Sequence, residues 1–169
     1  EAAKAANADV LVTLGGASVG AHDLVQAALK AQGMDLGFWK IAMRPGKPMM
    51  MGRLGPMVAL GLPGNPVSSI VCGHLFVTPL IEALLGMAEP DRDRGEPAIL
   101  AVDLPANDER QDYLRSTFVT EADERRVKPF PKQDSSMLAN LARAEALVIR
   151  PVFAEPAKAG DPCRIIRLR

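Results

Sequence analysis

Apolar residues in the first half of the chain gather into short runs that stop at glycine or proline, alternating with stretches where they recur at helical spacing. The runs predict strands at Val10–Leu14, Gly37–Met43 and Met57–Leu62, with a shorter extended piece at Met49–Met51. Helical spacing predicts helices over about 22–32, closed by Gly33, and about 66–86, closed near Gly86. Strands alternating with helices predict a parallel sheet covered on both faces. The opening "EAAKAANA" reads as the end of a helix, and three main strands are few for a doubly wound sheet. The chain is therefore expected to start partway through such a domain.

The pattern changes at "GMAEPDRDRGEP", residues 86–97, where charge, glycine and proline replace apolar periodicity and predict a linker. Beyond it come short β-type runs, "AILAVDLP", "DYLRSTFVT", "RRVKPFP", "EALVIRPV" and "CRIIRLR", interrupted by one helical stretch, "SSMLANLARA". Their regular spacing predicts a small sandwich or barrel. The expected division is residues 1–88 and residues 97–169.

At 169 residues, 48% hydrophobic and 24% charged, the chain can bury one good core or two small ones. Its 20 basic and 20 acidic residues cancel. No global field then draws it to nucleic acid or anionic lipid, and an anion site has to be built locally. Cys72 and Cys163 fall in different predicted domains, which argues against a disulfide framework and for a reducing compartment, the cytoplasm by default. The longest apolar stretch, around 67–87, contains His74, Pro79 and Glu82 and is expected to be a buried helix rather than a membrane span. No signal peptide is visible.

In open α/β sheets, ligands bind beyond the carboxyl ends of the strands, so the turns there carry the candidate chemistry. "GGASVG" has Gly15, Gly16 and Gly20 for tight turning and close backbone approach, with Ser18 between them and a helix following. "MRPGKP" sets Arg44 and Lys47 on a proline-stiffened loop. "GLPGNPVSS" brings Gly64, Asn65 as a cap, Pro66 at the first helical position and Ser68 in the first turn. Each turn alone has a purely structural explanation, whereas all three after strands of one sheet predict a crevice for an anionic, phosphate-bearing ligand. Gly16–Gly20 also fits the G-x-S-x-G nucleophile elbow of hydrolases. The only histidines are His22, four residues from Ser18, and His74, on an apolar helix. No acid-then-histidine order completes a triad, so Ser18 reads as an anion-cradle hydroxyl.

In this order and spacing, "GGASVGAHD", "MRPGKP" and "GLPGNPVS" resemble the molybdopterin molybdenumtransferase family (MoeA and the gephyrin E domain) in its C-terminal portion. The resemblance implies a partial three-layer α/β/α domain of the MogA/MoaB type over residues 1–88, followed by a small all-β, barrel-like C-terminal domain. It implies a reaction in which molybdate is inserted into adenylylated molybdopterin with release of AMP, assisted by Mg²⁺. Lys47, Pro48, Arg44, Ser18 and Ser68 would surround the oxyanion and the pterin phosphate, on loops shaped by Gly15, Gly16, Gly20, Gly64, Asn65 and Pro66. Lys47 and Asp23 would be the catalytic pair, with Asp23 also serving Mg²⁺. From the β-domain, "RQDYLR" and "DSSML" resemble family stretches that contribute Arg115, Ser135 and Ser136 to the site. Two positions depart from the pattern: Ala21 stands where many members have an acid, and Arg44 where many have lysine. The family further implies a homodimer in the full-length protein, completed by N-terminal domains absent here, so this chain alone is expected to bind without turning over. A non-catalytic molybdopterin-binding or scaffold module is the alternative, and a serine hydrolase using Ser18 the least favoured.

Overall fold

The computed structural model describes residues 2–16, 24–121 and 124–168. They form two compact units, one from Glu1–Ile41 with Gly46–Pro90, the other from Ala42–Pro45 with Asp91–Arg169. Residues 42–45, which the sequence pattern assigns to the first domain, therefore go with the second.

The first unit contains α1 (Ala2–Ala5), β1 (Val10–Leu14), α2 (Leu24–Ala31) and β2 (Asp35–Trp39). After the two-residue β3 (Met43–Arg44) of the other unit come β4 (Met50–Leu54), β5 (Met57–Leu62), α3 (Pro66–Cys72) and, beyond a π-helical turn at Gly73–Val77, α4 (Thr78–Leu84). The sheet order is β1-β5-β4-β2. Only β1 and β5 run parallel; β4 is antiparallel to both its neighbours. The expected all-parallel sheet is thus mixed, and the reason is local. Gly55–Pro56 joins β4 to β5 in two residues, far too few for a crossover connection. Gly55 has φ +65°, and since proline holds φ near −65° the turn is type II′, with glycine at the position that needs left-handed backbone. The predicted strand over 37–43 likewise ends early, at Trp39, because Lys40 takes φ +68°.

Every residue of β5 is buried. On one face of the sheet, Met34, Leu54, Met57 and Ala59 form a core with Leu11, Leu36 and Leu29 of α2. The helix from Pro66 to Leu84 is not the buried helix expected. It fully buries Val67, Val71 and Cys72, whereas Ile70, Ile81 and Leu84 are about half exposed. It is the one described helix long and apolar enough to cross a membrane, a test that core helices also pass.

The second unit adds β6 (Glu96–Ile99), β7 (Gln111–Glu121), β8 (Glu124–Pro129), α5 (Leu138–Arg143), β9 (Ala146–Arg150) and β10 (Pro162–Arg167) to β3. Its sheet runs β3-β7-β9-β10-β6, with β8 also paired to β7. The sheet curls around Leu100, Val127, Ala146, Val148 and Ile165. Leu100, just past β6, makes a single parallel bridge to Val127 of β8, and the Ala101 N–H donates to the Val127 carbonyl at 2.9 Å. The ring of strands is thus joined by one bridge rather than a ladder, barrel-like without being a closed barrel.

Candidate functional site

Strand register places three loops of the first unit at one end of its sheet. Thr13 pairs with Gly61, Gly61 with Met50, and Met50 with Trp39, so the carboxyl ends of β1, β5 and β2 lie beside the amino end of β4. The turns at Gly15–Gly16, Pro63–Asn65 and Gly46–Pro48 leave from that edge. Two of them touch through their backbones. The Gly15 N–H donates to the Leu62 carbonyl at 3.0 Å, and a Cβ on Gly64 would stand 3.3 Å from the Gly15 Cα. Gly16 has φ +67°, and a Cβ there would meet Val25 of α2 at 2.3 Å. Glycine is required at Gly16 on both counts.

At the start of α3, Asn65 is the cap and Pro66 the first helical residue. The Asn65 side-chain oxygen accepts from Val67 N–H at 3.0 Å and Ser68 N–H at 3.4 Å, and its carbonyl accepts from Ser69 N–H at 2.9 Å. The helix therefore satisfies its own first amides. An anion here would meet the Asn65 amide group and the hydroxyl of Ser68, a residue only 6% exposed, rather than helix backbone. Lys47 is exposed on a loop pinned at three points: Ile41 N–H to Lys47 carbonyl (3.0 Å), Lys40 N–H to Met49 carbonyl (2.9 Å) and Met49 N–H to Gly46 carbonyl (3.1 Å). Pro48 is half-buried beside it. Among the described residues no carboxylate pairs with Lys40 or Lys47, and none stands at this edge of the sheet. Lys47 thus presents an exposed ammonium with no carboxylate partner among the described residues, on a loop at the same end of the sheet as the touching glycine loops. Ser18, Gly20, Ala21, His22 and Asp23 lie outside the described residues. His74 sits about 12 Å along the helix axis from Pro66, away from the loop end.

The remaining candidates belong to the second unit. Arg44 does not offer a free guanidinium. Its Nε and Nη2 donate to the two oxygens of Asp112 at 2.8 and 2.6 Å, and Nη1 reaches Asp108 at 3.0 Å. The hydrogen bond to Asp112 raises the Arg44 pKa against the opposing effect of burial. Sequence could not show this, because the partner carboxylates lie more than sixty residues away. Arg115 is 1% exposed. Its Nε donates to the Gln133 side-chain oxygen at 3.2 Å and its Nη1 to the Asp134 carbonyl at 2.9 Å. Burial pushes its pKa down, with Asp134 acting the other way. Arg115 thereby holds the loop that carries Ser135 and Ser136. Ser136 is exposed, and its N–H binds Asp134 Oδ1 at 2.8 Å. Not singled out in the sequence are Trp39 and Lys40, at the same edge as Lys47, with the Lys40 ammonium 4.3 Å from the centre of the indole ring.

A glycine-lined strand end, a capped helix and an exposed lysine at one end of a mixed sheet make up a candidate anion site on an α/β unit, here followed in the chain by a curled β-sheet unit. Residues 1–83 match the family described as "Probable molybdopterin binding domain", and residues 97–168 the "MoeA C-terminal region (domain IV)". The chain is 33% identical to a molybdopterin molybdenumtransferase of Haemophilus influenzae over 94% of its own length and 39% of that protein. With the Bacillus subtilis protein of the same name it is 31% identical, over 95% of this chain and 37% of that one. A solved molybdopterin biosynthesis MoeA protein from Pyrococcus horikosii superposes with a TM-score of 0.75 at 26% identity, covering 98% of this chain and 39% of the other. The chain thus spans about two fifths of the length of the curated relatives it matches. It belongs to the molybdopterin molybdenumtransferase family and corresponds to that family's C-terminal portion.

Proposed function

We propose that this chain carries the oxyanion and pterin-phosphate site of a molybdenum insertase, an enzyme of molybdenum cofactor biosynthesis that transfers molybdate into adenylylated molybdopterin and releases AMP. One observation carries the reading: the Gly15 and Gly64 loops touch at the sheet edge from which the Lys47 loop leaves, and among the described residues no carboxylate pairs with Lys47. Molybdate is a tetrahedral dianion, and an ammonium, a hydroxyl and an amide group are the donors it needs. Lys47 would bind the oxyanion, with Ser68, Asn65 and Pro48 shaping its surroundings. In the second unit, Arg115 acts by positioning Ser135 and Ser136, and Arg44 by organising Asp112 and Asp108.

The same reading includes Mg²⁺, held by Asp23 and a substrate phosphate. The described residues supply no cluster of three or more metal-binding side chains. No step is therefore assigned to the ion, whose contribution when bound would be to neutralise phosphate charge. A homodimer of the full-length protein and a cytoplasmic location complete the proposal. Because the chain spans two fifths of its relatives, binding without turnover is the expected behaviour of the 169-residue chain by itself.

The experiment is calorimetric titration with molybdate at fixed ionic strength. Replacing Lys47 with alanine removes one charge-assisted hydrogen bond, about 1.5–3 kcal/mol, or roughly ten- to a hundredfold in affinity. Lys158→Ala is the control, since Lys158 already pairs with Asp103 at 2.9 Å on an exposed surface. Equal affinity for Lys47→Ala and the parent chain would refute the assignment.

A further inference from the structure

The edge that carries the anion site also carries the chain's only tryptophan. Trp39 ends β2, in register with Met50 and on the sheet face that α2 covers, and it remains 36% exposed. Lys40 follows with φ +68°, a left-handed conformation that a lysine rarely adopts. That backbone is held by the bond from Lys40 N–H to the Met49 carbonyl. It turns the Lys40 ammonium back over the indole at 4.3 Å. Ile41 N–H is bonded to the Lys47 carbonyl, so the strand end that carries Trp39 and Lys40 is tied to the backbone of the Lys47 loop. An exposed indole capped by one cation, with a second on the loop tied to its strand end and neither cation paired with a carboxylate among the described residues, suits a ligand with a flat π-system at one end and negative charge at the other.

The spacing agrees. β2 and β1 are three strand separations apart, about 14 Å, and between them lies β4, the strand into which the Lys47 loop leads. A heterocycle lying on Trp39 would then have its phosphate at Lys47 and could extend toward the Gly15–Gly64 contact.

We propose that Trp39 and Lys40 form a stacking subsite for the planar heterocycle of a phosphate-bearing ligand, its phosphate lying at Lys47. The proposal deepens the function proposed above and rests on it for the anion end. Two ring sources share this chemistry, an adenine nucleotide and a pterin, and the assay separates them.

Trp39 fluorescence reads the subsite directly. The 169-residue chain and its Trp39→Ala, Trp39→Phe and Lys47→Ala variants are titrated with AMP, 6-hydroxymethylpterin and inorganic pyrophosphate, using fluorescence where Trp39 remains and calorimetry throughout. AMP or the pterin is expected to quench Trp39 saturably. Trp39→Ala should weaken that ligand roughly five- to 150-fold, the range for loss of one ring stack. Trp39→Phe should recover most of the affinity, and pyrophosphate should bind all the Trp39 variants alike. Quenching by AMP only, or by the pterin only, identifies the ring. If neither quenches, or if Trp39→Ala binds both as the parent does, the subsite is overturned whatever pyrophosphate does. If a ring ligand quenches but Lys47→Ala binds pyrophosphate and molybdate undiminished, the proposed function falls while the ring subsite stands.

Discussion

Replacing Arg44 with alanine is expected to unfold the second unit more easily and to leave anion binding intact. Both Asp112 oxygens are engaged by the Arg44 fork, at 2.8 and 2.6 Å, and the Asp112 side chain is 9% exposed. Without Arg44 this carboxylate stays desolvated and loses two charge-assisted bonds. A fully buried pair broken in this way costs about 3–5 kcal/mol, but the Arg44 side chain is 44% exposed and water can enter. The lower estimate for hydrogen bonds to a charged group, about 2 kcal/mol, is therefore the better one. The Asp108 contact, with both side chains at 40% or more exposure, adds at most about 1 kcal/mol. A loss of about 2 kcal/mol lowers the urea midpoint by about 1 M for a domain of this size. Arg44→Lys keeps the charge but not the fork and should lose about half as much. Urea unfolding followed through Tyr113, the only tyrosine and a neighbour of Asp112 on β7, reports this unit, while Trp39 reports the first. An unchanged Tyr113 transition together with weakened molybdate binding would refute the structural role and return Arg44 to the anion site.

Three more outcomes are expected. Burial pushes the Cys72 thiol up to about 12 and the Cys163 thiol to about 11, so neither should react with iodoacetamide at pH 8 until the chain is unfolded, as mass spectrometry can score. Asp93, Asp103, Asp108 and Asp134 all titrate below the usual carboxylate range, led by the Gly95 N–H, the Lys158 ammonium, the Arg110 N–H and the Ser136 N–H respectively. The unfolded chain then binds protons first as pH falls, so this stabilisation is complete above about pH 4 and lost below it; a second-unit melting temperature flat from pH 5 to 3 would contradict that. We also propose that an exposed linker at Met87–Arg92 joins the two units. Limited proteolysis should cut between Met87 and Arg92, since from Asp93 onward the segment is tied down by Arg164 bonding to Asp93 and to the Gly95 carbonyl. First cleavage within β5 or α3 would contradict that division.

Much of this was legible wherever the signal was local. β1 is an apolar run broken only by Thr13 and ended by Gly15, β5 is an apolar run ended by Pro63-Gly64, and α3 begins at the Asn65-Pro66 cap, so these boundaries follow from a few neighbouring residues. The antiparallel placement of β4 was also written locally, in Gly55–Pro56, but its glycine and proline punctuate many kinds of turn. What sequence could not supply were meetings between distant segments. The approach of Gly15 to Gly64 depends on β1 and β5 being neighbours. Arg44 finds Asp112 only because β3 lies in register with the start of β7. A loop that holds both Arg44 and Lys47 reads as one basic patch, yet the fold spends one charge on structure and leaves the other exposed. Trp39 was hidden for another reason: in "GFWKIAM" it reads as one more apolar strand residue, and only the φ of Lys40 ends the strand there and exposes the ring.

The excursion of residues 42–45 out of the first unit and back has a consequence for anyone cutting or recombining this gene. No single breakpoint separates the two units. A fragment beginning at Asp91 would be born without its β3, with Asp112 facing solvent and no arginine to meet it. A fragment ending at Pro90 would carry Met43 and Arg44 as an orphaned loop. Chimeras between related chains inherit the same constraint, for a crossover in the 86–97 segment pairs one parent's Arg44 with the other parent's residue at position 112. The two positions must therefore travel together, or be matched by hand, wherever this pair of units is reassembled.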